Sequence, residues 1–322
     1  MEVTDHLHII KTNYYGIYTA TYLILGDGLT LIDSGERESW EQDIKPYIRS
    51  LGRDPEEVRL VVLTHNHDDH VGSARQIRAE TGAELVAGEE TARFLDRPDS
   101  IMRWEEQSFG GWLSDEEKKH ILEGTDYNGA PRRRRQPLTV DRQLREGDLI
   151  QTGPLVLRVM AAPGHTIDSI ALHEPQAKLL FTGDTVFGSG TALDDLNVIQ
   201  AITEFRETLG TFEALDVGLL LLAHPYLPYA DAVLRGDQAK EMIRITLGVP
   251  DRISAEIQQV LSNGDGSMTT AEISAEVCIA LGPNRPERRS HGTVRLSLVE
   301  LLRAGAVSAE RTNGEVRWTI AK

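Results

Sequence analysis

Short apolar runs, each closed by a polar or glycine-bearing loop, set the rhythm of the chain as far as His224. Tyr18–Leu25 and Leu29–Asp33 flank Gly26-Asp27-Gly28, the signature of a hairpin between two strands. Val58-Arg59-Leu60-Val61-Val62-Leu63 is almost continuously apolar, as a strand buried on both faces of its sheet must be. The segment beyond its loop, Gly72–Glu80, carries helical spacing. So does Glu38–Leu51, with Pro46 either breaking the helix or opening it. Leu155–Met160, Lys178–Thr182 and Val217–Ala223 repeat the strand pattern, and a helix is expected to end near Leu209 between the last two. Strands alternating with helices predict an α/β architecture in which helices cover the sheets.

Two stretches depart from this rhythm. Over about residues 88–137 the chain carries helical spacing in Glu89–Asp96 and Asp115–Leu122, with Met102, Trp104, Phe109 and Trp112 around them. This predicts a mostly helical insertion whose aromatic residues suit either a core of its own or the wall of a substrate site. The run Arg132–Arg135 suits either a solvated loop or a clamp for a carboxylate or phosphate. From about Pro250 three segments, Asp251–Leu261, Thr269–Leu281 and Thr293–Arg303, read as helices. Ala306–Glu310 then pairs with Glu315–Ile320 across Thr312-Asn313-Gly314. Three helices and a hairpin resemble a winged helix, which divides the chain into residues 1–248 and a small second domain, 249–322.

The chemistry gathers in Thr64-His65-Asn66-His67-Asp68-Asp69-His70-Val71-Gly72. A helix cap needs one such polar side chain, and capping supplies no reason for three histidines. The loop sits at the carboxyl end of a strand, where open α/β sheets keep their sites. Imidazole nitrogens and carboxylate oxygens are the ligand set of zinc and its first-row neighbours. An alternating His65-x-His67 turns both rings to one side of an extended segment, and Asp69 and His70 continue into the turn, able to face a second ion.

His65-x-His67-x-Asp69-His70 is similar to the signature of the metallo-β-lactamase superfamily, and the later parts of that family's pattern follow in order. His165 lies in Pro163-Gly164-His165-Thr166, Asp184 follows Gly183 after an apolar strand, and His224 follows Val217–Ala223. The resemblance covers about residues 1–245 and implies an αβ/βα sandwich carrying two divalent metal ions. His65, His67 and His165 are then expected to hold one ion and Asp69, His70 and His224 the other, with Asp184 as the bridge. Zinc is the default, and the same ligands accept iron or manganese. The resemblance buries Asp33 beneath the metal loop, where its own context reads equally as a turn aspartate. Gly188-Ser189-Gly190-Thr191 and Asp195-Leu196 resemble the branch of β-lactamase-like endoribonucleases and fungal polyketide thioesterases, which also carries a winged helix. That branch has Gly-His-Gly-Pro where this chain has Ala223-His224-Pro225-Tyr226, so the backbone must differ there and Tyr226 is a candidate to enter the site.

The implied reaction is hydrolysis by a hydroxide shared between two cations, the pKa of the bound water falling toward about 7. Asp69 and Asp184 are the catalytic carboxylates in this reading. Asp68 either orients the hydroxide or is a surface carboxylate. Trp104, Phe109, Trp112, Met102 and Tyr226 are the candidate substrate contacts, favouring a small organic ester, thioester, lactone or aryl ether. The alternatives are a single-strand endoribonuclease or phosphodiesterase and a non-hydrolytic iron dioxygenase.

Composition narrows these choices. In 322 residues, 26% of them charged, the formal net charge is −16, which argues against a polyanion as main partner. Asp251–Lys322 holds nine basic and nine acidic residues, so packing or homo-oligomer assembly suits the second domain better than DNA binding. The single cysteine, Cys278, excludes an internal disulfide. No apolar run reaches the length needed to span a bilayer, and the start lacks the features of a signal peptide. A cytoplasmic protein acting on a small molecule, away from membranes, is the expectation.

Overall fold

The computed structural model describes residues 1–98, 100, 111–123, 136–191, 196–264, 266–281 and 288–321, with the backbone alone at 120–123 and 288–290. The chain divides into two compact units. The first comprises Met1–Asp96, Leu138–Leu193 and Thr203–Leu247, and the second Arg97–Pro137, Asp194–Ile202 and Gly248–Lys322.

In the first unit one sheet holds β1 (Glu2–Thr4), β2 (Leu7–Tyr14), β3 (Ile17–Leu25), β4 (Leu29–Ile32), β5 (Val58–Leu63), β6 (Glu84–Gly88) and β7 (Arg142–Leu144), side by side in chain order. It is antiparallel from β1 to β4 and parallel from β4 to β7. The other sheet holds β8 (Leu149–Gln151), β9 (Val156–Ala161), β10 (Ile170–Glu174), β11 (Leu179–Gly183), β12 (Leu219–Tyr226) and β13 (Asp231–Arg235), in the order β13-β12-β11-β10-β9-β8. Only β11 and β12 run parallel there, and the helix Ile202–Ala214 makes their crossover.

Period-two alternation decides the layers. Leu23, Leu29, Leu31, Val61, Leu63, Leu85 and Ala87 pack with Trp40, Ile44, Ile48, Ala74 and Ile77 of the helical layer. From the opposite face Tyr22 meets Phe181, ring centroids 5.3 Å apart, and donates its hydroxyl to Leu222 O at 2.6 Å. Helices therefore cover a pair of facing sheets, the expected α/β sandwich. Pro46 opens an α-helix, Lys45–Ser50, that follows a π-helical turn over Trp40–Ile44. Expectation and structure differ in the first strands: β1 and β2 precede the predicted hairpin, because Leu7–Ile10 is buried throughout and lacks alternation.

The second unit contains the helices Asp115–Glu123, Val249–Asn263, Thr270–Ala280 and Arg288–Arg303 and a sheet in the order β14 (Met268–Thr269), β16 (Glu315–Ile320), β15 (Val307–Thr312). Asn313 and Gly314, at φ 52° and 82°, form the two-residue turn between β15 and β16 that an Asn-Gly pair favours. Thr269 and Glu272 build a reciprocal cap on Thr270–Ala280. Trp112, from the predicted insertion, lies against the buried Trp318 with centroids 5.7 Å apart. Asp115 N donates to Gly314 O at 2.9 Å, and Arg295 forms an ion pair with Glu117. No helix among the described residues is long and apolar enough to cross a membrane.

Candidate metal centre

The loop after β5 leaves the sheet in an extended form and turns at His67 into the single helical turn Asp68–Val71. Asp33, just past β4 and at φ 62°, is the post beneath it. Its carboxylate, 2% exposed with its residue, accepts from Thr64 N, Thr64 Oγ1 and His70 Nδ1, each at 2.8 Å. Because a carboxylate only accepts, the proton of His70 sits on Nδ1 and Nε2 is directed into the site. His224, on β12, is held in the same sense, Nδ1 donating to Tyr18 O at 2.9 Å. Thr19 Oγ1 donates to Asp69 Oδ2 at 3.2 Å. Close backbone approach matters at Gly183, where φ is 50° and an added Cβ would stand 2.9 Å from Thr64 Oγ1.

These supports bring the seven predicted ligands into two groups, His65, His67, His165 and Asp184 in one and Asp69, His70 and His224 in the other. Within each group the ligand atoms lie within 4.8 Å of one another. Asp184 reaches into both. Its Oδ2 is 3.5 Å from His165 Nε2, and its Oδ1 is 3.6 Å from His70 Nε2 and 3.5 Å from His224 Nε2. His67 Nδ1 lies 3.2 Å from His165 Nε2, and His224 Nε2 lies 3.1 Å from Asp69 Oδ2.

The donor set fits a metal. Tetrahedral bonds of about 2.0–2.1 Å put neighbouring ligand atoms about 3.3 Å apart, the spacing found here. His65 Nε2, His70 Nε2 and Asp184 Oδ1 are buried without a hydrogen-bond partner, a condition a native core rarely tolerates. The electrostatics agree. Burial first, then the neighbouring imidazoles, hold His65 and His67 well below the ordinary histidine range, neutral and ready to ligate. Around His70 and His224 burial also disfavours charge, but Asp69, Asp33 and Asp184 outweigh it and keep His70 well above its usual value, and Asp184 with Asp69 keeps His224 at about 10. Buried carboxylates in this pocket thus demand positive charge from a partner.

The remaining predicted residues are distributed differently. Asp68 is exposed and belongs to neither ligand group. Tyr226 is fully buried, 1% exposed, and burial, followed by the adjacent Asp184, pushes its phenol well above the ordinary range. Its ring centroid lies 5.6 Å from that of His224. Trp112 packs on Trp318. Met102, Trp104, Phe109 and Arg132–Arg135 lie outside the described residues. Sequence reasoning missed Tyr14, whose ring stands 5.2 Å from that of His224 and 5.1 Å from that of the exposed Tyr15 in the β2–β3 turn. Two tyrosines before a glycine between strands were the available signal.

Sandwich and ligand groups together define a class, and residues 14–244 match the profile of the metallo-beta-lactamase superfamily. The chain belongs to that superfamily. It is 30% identical over 161 residues to the hydroxyacylglutathione hydrolase of Cereibacter sphaeroides, a match covering 49% of this chain and 47% of the other. It is 33% identical over 171 residues to the acyl-coenzyme A thioesterase MBLAC2 of Gallus gallus, covering 50% and 53%. The chain thus spans about half the length of these curated relatives. Among solved structures, a metallo-beta-lactamase family protein from Thermus thermophilus aligns with TM-score 0.72 at 20% identity, covering 99% of this chain and 100% of that one. A beta-lactamase domain protein from Burkholderia ambifaria aligns with TM-score 0.68 at 20% identity, covering 100% and 94%.

Proposed function

We propose that this chain is a hydrolase of small acyl thioesters that works with two divalent metal ions. The observation that carries the reading is Asp184, whose two oxygens address two separate ligand groups. His65, His67 and His165 would hold one ion, Asp69, His70 and His224 the other, and Asp184 both. When bound, such ions supply an acidified water and polarise the oxygen of the attacked carbonyl. The chain's own groups do the positioning: Asp33 and the Tyr18 carbonyl orient His70 and His224, and Thr19 fixes one oxygen of Asp69. Asp69 and Asp184 bring the negative charge that retains cations, and exposed Asp68 has no assigned part. The thioester is favoured over ester, lactone or aryl ether because both named relatives act on thioesters by their names.

The test is a panel of one acyl thioester, carboxylic ester, lactone, aryl ether and phosphodiester, run on protein loaded in turn with zinc, manganese and iron. The thioester should be cleaved fastest, and a chelator should abolish the reaction with metal addition restoring it. Activity untouched by chelation would overturn the metal requirement. A phosphodiester cleaved fastest, or oxygen consumed by the iron-loaded form, would overturn the substrate class.

A further inference from the structure

We infer that Asn66 and Asp168 are a positioning pair that sets the spacing of the His65, His67 and His165 group, an inference resting on the metal-centre reading above. Asn66 stands between His65 and His67, and Asp168 stands three residues beyond His165. Both are buried, 6% and 3% exposed, and Asn66 Nδ2 donates to Asp168 Oδ1 at 2.7 Å. The bond joins the two loops that supply the histidines of one ligand group, across 102 residues of sequence.

The loop holding Asp168 does not need this bond to close. Ala162 N donates to Ser169 O at 2.9 Å, Gly164 N to Thr166 O at 3.0 Å, and the Thr166 and Ser169 hydroxyls pair at 2.7 Å. From a third element Thr91 Oγ1 donates to Asp168 O at 2.9 Å, so the main chain of Asp168 is held independently of Asn66. A carboxylate anchored this way is a fixed point from which the amide sets the backbone between His65 and His67. Neither side chain is a ligand, so the pair acts through the chain that carries the histidines. A charge-assisted bond in a buried site is of the stronger kind, and losing it leaves polar groups unsatisfied there.

The experiment measures zinc affinity of the metal-stripped full chain by competition with a chromophoric chelator, alongside thermal unfolding in excess chelator. Asn66→Ala should weaken zinc binding about 10-fold, the lower end of the effect of losing an outer partner of a metal site. Asp168→Asn keeps an acceptor oxygen and should lose much less. Asn66→Asp combined with Asp168→Asn reverses the donor and acceptor and should recover most of the loss. Should Asn66→Ala fail to fold, Asn66→Ser, with a shorter donor, carries the same expectation at smaller size. Wild-type zinc affinity in the folded Asn66 variant, with only the melting temperature in chelator lowered, would overturn the inference and leave a simple loop tie. A parent protein that binds no zinc, manganese or iron would instead overturn the metal centre itself.

Discussion

Each unit of this protein buries charge, and the two do so in opposite ways. In the second unit Arg295, 3% exposed, faces Glu117, and at the surface Arg311 donates to Asp115 and to Leu113 O. There the buried guanidinium and its carboxylate complete one another's charge. In the first unit three buried ligand atoms, on His65, His70 and Asp184, have no hydrogen-bond partner, although other polar atoms crowd around them. The contrast separates a brace from a site: a structural pair closes on itself, whereas a ligand cluster points its lone pairs at a common place and stays electrically open.

The sharpest way to break the contrast is Asp184→Asn, which keeps shape and removes charge. Metal affinity and hydrolysis should both fall by more than about 100-fold, beyond the usual cost of losing an outer partner of a metal site. Elemental analysis finding two retained ions would place Asp184 among the braces. Next in size is the pair Glu117 and Arg295. Glu117→Leu alone should cost about 3 kcal/mol, since it strands a buried guanidinium, while Glu117→Leu with Arg295→Met should restore stability. Chemical denaturation reads both, and metal content should not move in either. A double variant as unstable as the single one would show that the ions, not the packing, matter there.

The smallest effect marks the exposed limit. Glu80 is held at about 2, first by the hydrogen bond from Lys45 and then, against burial, by those from Trp40 and Gln76. Its folded value lies below its ordinary 4.5, so its stabilisation is complete above pH 4.5 and disappears as pH falls toward 2. Its side chain is 37% exposed, so solvent screening keeps the gain small. Glu80→Gln should flatten the acid limb of a stability-against-pH curve between those values and leave neutral stability nearly unchanged. An unaltered acid limb would mean that Lys45 and Trp40 do not hold Glu80 in solution.

What could be read beforehand was local. Val58–Leu63 is buried except at Arg59 and the loop behind it carries ligands, because burial on both faces and metal chemistry each leave a dense imprint within a few residues. Asn313-Gly314 dictated its turn for the same reason. Contacts distant in sequence left no such trace. The partners of Asn66 and Trp112 lie far along the chain, at Asp168 and Trp318, and nothing in either neighbourhood names them. On sequence the insertion's aromatic residues favour a wall over a core, whereas the ring that Trp112 meets comes from the C-terminal sheet. Asp33 was ambiguous until its three donors were seen together.

The order in which the ligands occur along the chain also gives the centre a history during synthesis. A ribosome that has passed residue 70 has already made Asp33, Thr64 and His70, the materials of the post beneath the loop. His224 comes last of the seven ligands, on a strand that pairs in parallel with β11 only after the crossover helix Ile202–Ala214 is made. Parallel pairing across such a crossover is a slow, non-local event. A nascent chain stalled before it would carry an incomplete cage. Full loading of the proposed centre would therefore require that both halves of the sandwich have met.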